Sequence, residues 1–71
     1  MKKYYVAKEV NGNGEHEVHD EFCCELPGIG RRFFLGEYPS CSEAVVAGKD
    51  HFDSVNGCIR CSPACHPLYF T

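Results

Sequence analysis

Three cysteines fall within one short run, Cys58-Ile59-Arg60-Cys61-Ser62-Pro63-Ala64-Cys65, and His66 follows at once. With Cys23, Cys24 and Cys41 upstream, the 71-residue chain holds six cysteines and four histidines. A chain this short buries too little apolar surface to offset comfortably the entropy of ordering it. A staple beyond the core is therefore expected, and these side chains carry the atoms for one. The chain reads as a single domain, 1–71, tied by a metal ion or by disulfides.

Two thiolates two residues apart can both reach one tetrahedral zinc from a tight turn, and a third nearby can fill most of the shell. Zinc favours sulfur and imidazole donors, and its structural sites are closed by four of them. The expected metal ligands are Cys58, Cys61 and Cys65, with Cys23 as the fourth because its loop can fold back beside the tail. Cys24, His16, His19 and His66 are the other candidates for that fourth place. His16 and His19 project to opposite faces if both lie in one strand, so they should not share an ion.

A disulfide framework uses the same atoms. Six cysteines allow fifteen connectivities, and the sequence does not choose among them. Neighbours such as Cys23 and Cys24 fit disulfide geometry poorly. Mixed schemes also work, such as a Cys23–Cys41 bridge that leaves the tail thiols free. A redox role for Cys58 and Cys61 lacks the helix N-terminus that normally stabilises such a thiolate. Haem attachment at Cys61 to His66 fails on spacing, which is one residue too long. Cys41 reads as a small core residue and His51 as a surface residue at a helix end.

The formal net charge is −3, and the basic residues are scattered from Lys2 to Arg60. No stretch concentrates enough of them to follow a phosphate backbone, so nucleic acid is not an expected partner. No apolar run approaches the length of a membrane span. Met1-Lys2-Lys3 resembles the start of a signal peptide, but Lys8 and Glu9 interrupt the apolar stretch that should follow. The expectation is a cytoplasmic protein, where clustered thiols more often hold metal than pair.

Lys3 to Val10 is rich in Tyr and Val and predicts a strand. Asn11-Gly12-Asn13-Gly14 predicts a turn, and Glu15 to Asp20 a polar returning strand. Leu26-Pro27-Gly28-Ile29-Gly30 reads as loop. Arg31 to Tyr38 predicts a third strand with Phe33 and Leu35 inward. Ser40 and Glu43 are spaced as a capping box, and Cys41, Ala44, Val45, Gly48 and Phe52 form an apolar stripe at helical spacing. A helix is expected from Cys41 to Phe52. Asn56-Gly57 then reads as a turn into an irregular segment from Cys58 to Thr71 that contains Pro63 and Pro67. The expected fold class is a small α+β protein: a three-stranded antiparallel sheet, one helix packed on it, and an irregular Cys-rich C-terminal segment.

The pattern His16-x-x-His19, Cys23, Leu26-Pro27, Leu35-Gly36, Cys41-x-Glu43-Ala44-Val45 and Asn56-Gly57-Cys58-x-x-Cys61-x-x-x-Cys65-His66 resembles a family of small bacterial Cys/His-rich proteins with no assigned function. The likeness covers most of the chain from Tyr4 to His66. It implies a bacterial origin and no particular chemistry. Cys24 is extra relative to the pattern, which favours Cys23 as the structural thiol.

The function expected from these readings is a small zinc-stabilised module that binds another protein. A disulfide-stapled module outside the cytoplasm is the alternative, and a thiol redox or metal-handling protein a second one. Nothing places a catalytic base beside a pocket, so an ordinary enzyme site is not expected.

Overall fold

The computed structural model describes residues 1–66. Its elements are β1 (Lys2–Ala7), β2 (His16–Asp20), β3 (Arg32–Tyr38), α1 (Cys41–Gly48) and β4 (Val55–Gly57). Short 3-10 turns lie at Ile29–Arg31 and Pro63–Cys65. The α+β class is as expected, but the sheet has four strands, in the order β3-β1-β2-β4. β1 runs antiparallel to both β2 and β3, and β4 runs parallel to β2. Pro67, expected in the irregular tail, lies outside the described residues.

The hairpin forms where Asn and Gly allow it. Asn11 Oδ1 accepts the amides of Asn13 at 2.8 Å and Glu15 at 3.1 Å, and Gly14 takes a φ of 77°. This turn fixes the register of β1 against β2, in which Tyr5 lies opposite His19 and Val6 opposite Val18. Side chains alternate across a strand. Val6 and Val18 therefore face the helix together, while Tyr5, Glu17 and His19 point to the other face.

The core is Tyr4, Val6, Val18, Ala44 and Val55, with Leu35, Tyr38, Cys41, Val45 and Phe52 packed around it. The expected apolar stripe thus does face the sheet. The helix itself stops at Gly48 instead of Phe52. His51 and Phe52 donate their amides to the Gly48 carbonyl at 2.9 and 3.1 Å, so one further turn still carries Phe52 onto the core. Ser40 takes the extended cap conformation, but its hydroxyl donates to the Glu43 carboxylate at 3.0 Å instead of capping a backbone amide.

The fourth strand is the main departure from the sequence reading. Asn56-Gly57 was expected to turn the chain, yet both residues sit in β4, with Asn56 opposite Glu17 and Gly57 opposite Val18. His16 donates its amide to Ser54 at 2.8 Å, and Cys58 donates its own to Val18 at 3.0 Å. Gly57 is small here because the chain folds back over it. A Cβ at this position would stand 2.6 Å from Cys65 Cβ and 2.7 Å from the Ser62 carbonyl. Close approach of backbone explains this glycine, not turn conformation.

A disulfide joins Cys41, at the first turn of α1, to Cys65 in the second 3-10 turn. It closes a sequence separation of 24 residues. The helix start and the C-terminal segment are thereby tied on the helix side of the sheet.

Candidate metal centre

β2 and β4 lie side by side, and the segments that leave them fold over the sheet face opposite the helix. β2 delivers His19, buried to 2 % exposure. The turn after β2 is bent by Asp20, whose carboxylate accepts the Phe22 amide at 2.8 Å and whose carbonyl accepts the Cys23 amide at 3.2 Å. That bend carries Cys23 back beside His19. β4 ends in Cys58, and the following turn is closed by the Ser62 amide donating to the Cys58 carbonyl at 2.8 Å, which sets Cys61 beside it.

One donor atom from each of His19, Cys23, Cys58 and Cys61 lies within 4.8 Å of every other. Cys23 Sγ is 3.5 Å from His19 Nδ1 and 3.9 Å from Cys58 Sγ. A tetrahedral zinc with ordinary bond lengths has edges of about 3.6 Å between nitrogen and sulfur and about 3.8 Å between sulfurs. Two of the six separations thus match tetrahedral edges, and all six lie within 4.8 Å. A disulfide would need sulfurs at about 2.05 Å, so this contact is not a bond.

The sulfurs are also dressed for negative charge. The Glu25 amide donates to Cys23 Sγ, the Arg60 amide to Cys58 Sγ and the Asp20 amide to Cys61 Sγ, each at 3.4 Å. In the first two the donor lies two residues after the cysteine, the same local device used twice. Such outer hydrogen bonds orient a thiolate and stabilise its charge. On the imidazole, Nε2 faces a Glu17 carboxylate oxygen at 3.7 Å. Glu17 is in turn held by the Asn11 side-chain amide at 3.0 Å.

Protonation follows burial. Desolvation raises the Cys61 thiol and pushes the Cys23 thiol well above the usual range, against the amide hydrogen bonds that pull each of them down. Desolvation also lowers the His19 imidazole, opposed by the carboxylates of Glu17, Glu25 and Asp20. Without a cation Cys23 and Cys61 therefore rest as neutral thiols and His19 as a neutral imidazole. A bound cation reverses that balance by holding the thiolates directly.

Of the ligands expected from sequence, Cys23, Cys58 and Cys61 come together. Cys65 does not: its sulfur is bonded to Cys41 on the helix side, because the 3-10 turn at Pro63–Cys65 aims it away from Cys61. The same bond takes Cys41 out of the role of a plain core residue. His19, one of the alternatives, stands in the fourth place. His16 points to the opposite face, as strand alternation requires. There its ring stacks on Phe52 at 3.7 Å and its Nδ1 donates to the Ala7 carbonyl at 2.8 Å. Cys24 is an exposed free thiol, and His66 closes the last 3-10 turn through its amide.

An open cleft of about 350 Å³ lies at the other end of the sheet, lined by Gly14, His16, His51, Phe52, Asp53 and Ser54. None of these belongs to the four-donor group. Among the described residues no helix is long and apolar enough to cross a membrane. No family model, curated protein or solved structure matches this chain.

Proposed function

We propose that this chain is a small zinc-stabilised module in which His19, Cys23, Cys58 and Cys61 hold one ion, and that its task is to present a surface to another protein. The observation that supports the metal is the fit of the 3.5 and 3.9 Å separations to the edges of a tetrahedron. Three sulfurs and one imidazole suit zinc better than calcium or magnesium, which take oxygen donors. Four protein donors fill the shell, so the ion serves structure and leaves no position for substrate. It would clamp the turn after β2 to the turn after β4, the two segments that no regular element secures. Zinc-bound thiolates need no oxidising surroundings, so the ion fits a cytoplasmic placement, in which Cys41 and Cys65 would stand as thiols until the protein meets an oxidant.

One observation favours a second reading. The Cys41–Cys65 bond is of a kind that persists outside the reducing cytoplasm. Under that reading the bridge is the staple, the module works outside the cytoplasm and the four donors hold no ion.

Intact mass of untagged protein prepared without added metal separates the two. The metal reading predicts a native mass larger than the denatured mass by one zinc. It also predicts that the denatured chain carries free thiols at Cys23, Cys24, Cys58 and Cys61. Equal masses, with further pairs of hydrogens missing, would overturn it.

A further inference from the structure

β3 is an edge strand of unusual character. It lies outermost in the sheet order, spans seven residues and contains Phe33, Phe34 and Leu35 in succession. Phe34 is 56 % exposed and Phe33 40 % exposed. Edge strands are normally blunted by brevity, by proline, by charged side chains, by a bulge or by a covering segment. The opposite edge, β4, is only three residues long. β3 is protected only by a bulge and by two charges of opposite sign, Arg32 and Glu37, which a second copy running antiparallel can match.

That bulge decides which residues share a face. Tyr4 pairs with Gly36 and Tyr5 with Phe34, so Leu35 is the extra residue. Counting across it, Arg32, Phe34 and Glu37 lie on the sheet face away from the helix, in line with Ala7, Tyr5 and Lys3 of β1. Along β3 this row reads cation, aromatic, anion. A two-fold axis through Phe34 and normal to the sheet sets that row antiparallel to itself. With Leu35 left out of the count as the bulged residue, Phe34 then meets Phe34, Phe33 meets Gly36 on the helix side, and each Arg32 faces the Glu37 of the other copy. A two-fold keeps each face on its own side, so no helix-facing residue is turned outward.

We propose that the partner of this edge is a second copy of the same chain, paired antiparallel through β3 into a continuous eight-stranded sheet. Backbone hydrogen bonds between the two β3 edges supply the affinity, as in strand addition generally. The Arg32 guanidinium lies 4.5 Å over the Tyr5 ring of its own β1 and donates to the Pro27 carbonyl at 2.9 Å, so the row acts through charge and not through a preformed ion pair: it favours the register that sets Arg32 opposite Glu37 over a slipped one. This edge lies apart from the four-donor group, which is carried by β2, β4 and the turns after them.

The test is sedimentation velocity of the full chain from about 10 μM to 1 mM, the range in which a contact between small edges registers. The parent should shift from monomer to dimer across it. Phe34→Lys, at an exposed position, should stay folded by circular dichroism and remain monomeric. Glu37→Arg should weaken the dimer about tenfold, by setting like charges opposite each other. Adding Arg32→Glu to it should restore the dimer, because the pair is then exchanged whole. A parent that is monomeric throughout would overturn the proposal. So would a dimer that persists unchanged in folded Phe34→Lys, or one that the paired exchange fails to restore.

Discussion

His19 Nδ1 stands 3.5 Å from Cys23 Sγ, although one side chain leaves a strand and the other a turn four residues later. The contact exists because Asp20 bends the chain between them, using its carboxylate for the Phe22 amide and its carbonyl for the Cys23 amide. A polar residue at 4 % exposure thus sets half of the donor group. The other half comes from β4, whose parallel pairing with β2 brings Cys58 under the Val18 carbonyl.

His19→Ala should therefore cost more zinc affinity than the roughly 10- to 100-fold typical of an outer-shell partner. Cys24→Ser, one residue from Cys23 but exposed and outside the group, should leave affinity unchanged. Competition against a chelator of known strength measures both. Equal losses in the two variants would remove His19 from the ligand set.

Zinc binding should release protons. The Cys23 and Cys61 thiols are held above their ordinary range, so both are protonated near pH 7 and must lose that proton to bind as thiolates. His19 is lowered, so it is already neutral there and contributes none. Affinity should then rise with pH by at least about two decades per unit around neutrality. Calorimetry in buffers of different ionisation enthalpy counts the protons directly, and a count below two would contradict the burial of these thiols.

Gly57→Ala should destabilise the domain by about 3 kcal/mol, at the upper end of ordinary overpacking costs. The new Cβ would meet Cys65 Cβ at 2.6 Å and the Ser62 carbonyl at 2.7 Å, and neither is the free end of a flexible side chain. Gly48→Leu should act in the same direction, since even a Cβ there stands 2.9 Å from Val55 Cγ1. Urea midpoints of both variants test the packing of α1 and of the C-terminal turn on β4.

Replacing Cys41 and Cys65 together by alanine should lower stability by about 3.5 kcal/mol, the loop-closure value for a crosslink of this span. Zinc stoichiometry should stay at one per chain, because neither sulfur belongs to the donor group. Loss of zinc in a variant that remains folded would mean that the bridge and the metal share ligands.

The hairpin, the third strand and the helix stripe were legible because each rests on local chemistry: Asn and Gly at Asn11–Gly14, strand-favouring aromatic residues in Arg32–Tyr38 (whose bulge at Leu35 no alternation foretold), and helical spacing from Cys41 to Phe52. β4 was not legible. Three residues carry no periodicity, and Asn56-Gly57 gives the same signal whether glycine makes a turn or lets Cys65 and Ser62 pass close by. The donor group was legible in three of its members, since Cys58-x-x-Cys61 fixes a pair by spacing and Cys23 lies in a loop free to join it. The fourth was decided by direction. Sequence shows that His16 and His19 diverge, but not which of them faces the turns. Nor does it show that the 3-10 turn at Pro63–Cys65 aims Cys65 toward Cys41. The spacing His19-x-x-x-Cys23, taken with Cys58-x-x-Cys61 as two donor pairs, is the signal that would have found the set.

X-ray absorption at the zinc edge on untagged protein is the most direct measurement of this centre. The predicted first shell is three sulfurs at about 2.3 Å and one nitrogen at about 2.0–2.1 Å. A shell of four sulfurs, a shell dominated by oxygen, or protein that retains no zinc would contradict the assignment of His19, Cys23, Cys58 and Cys61 as its ligands.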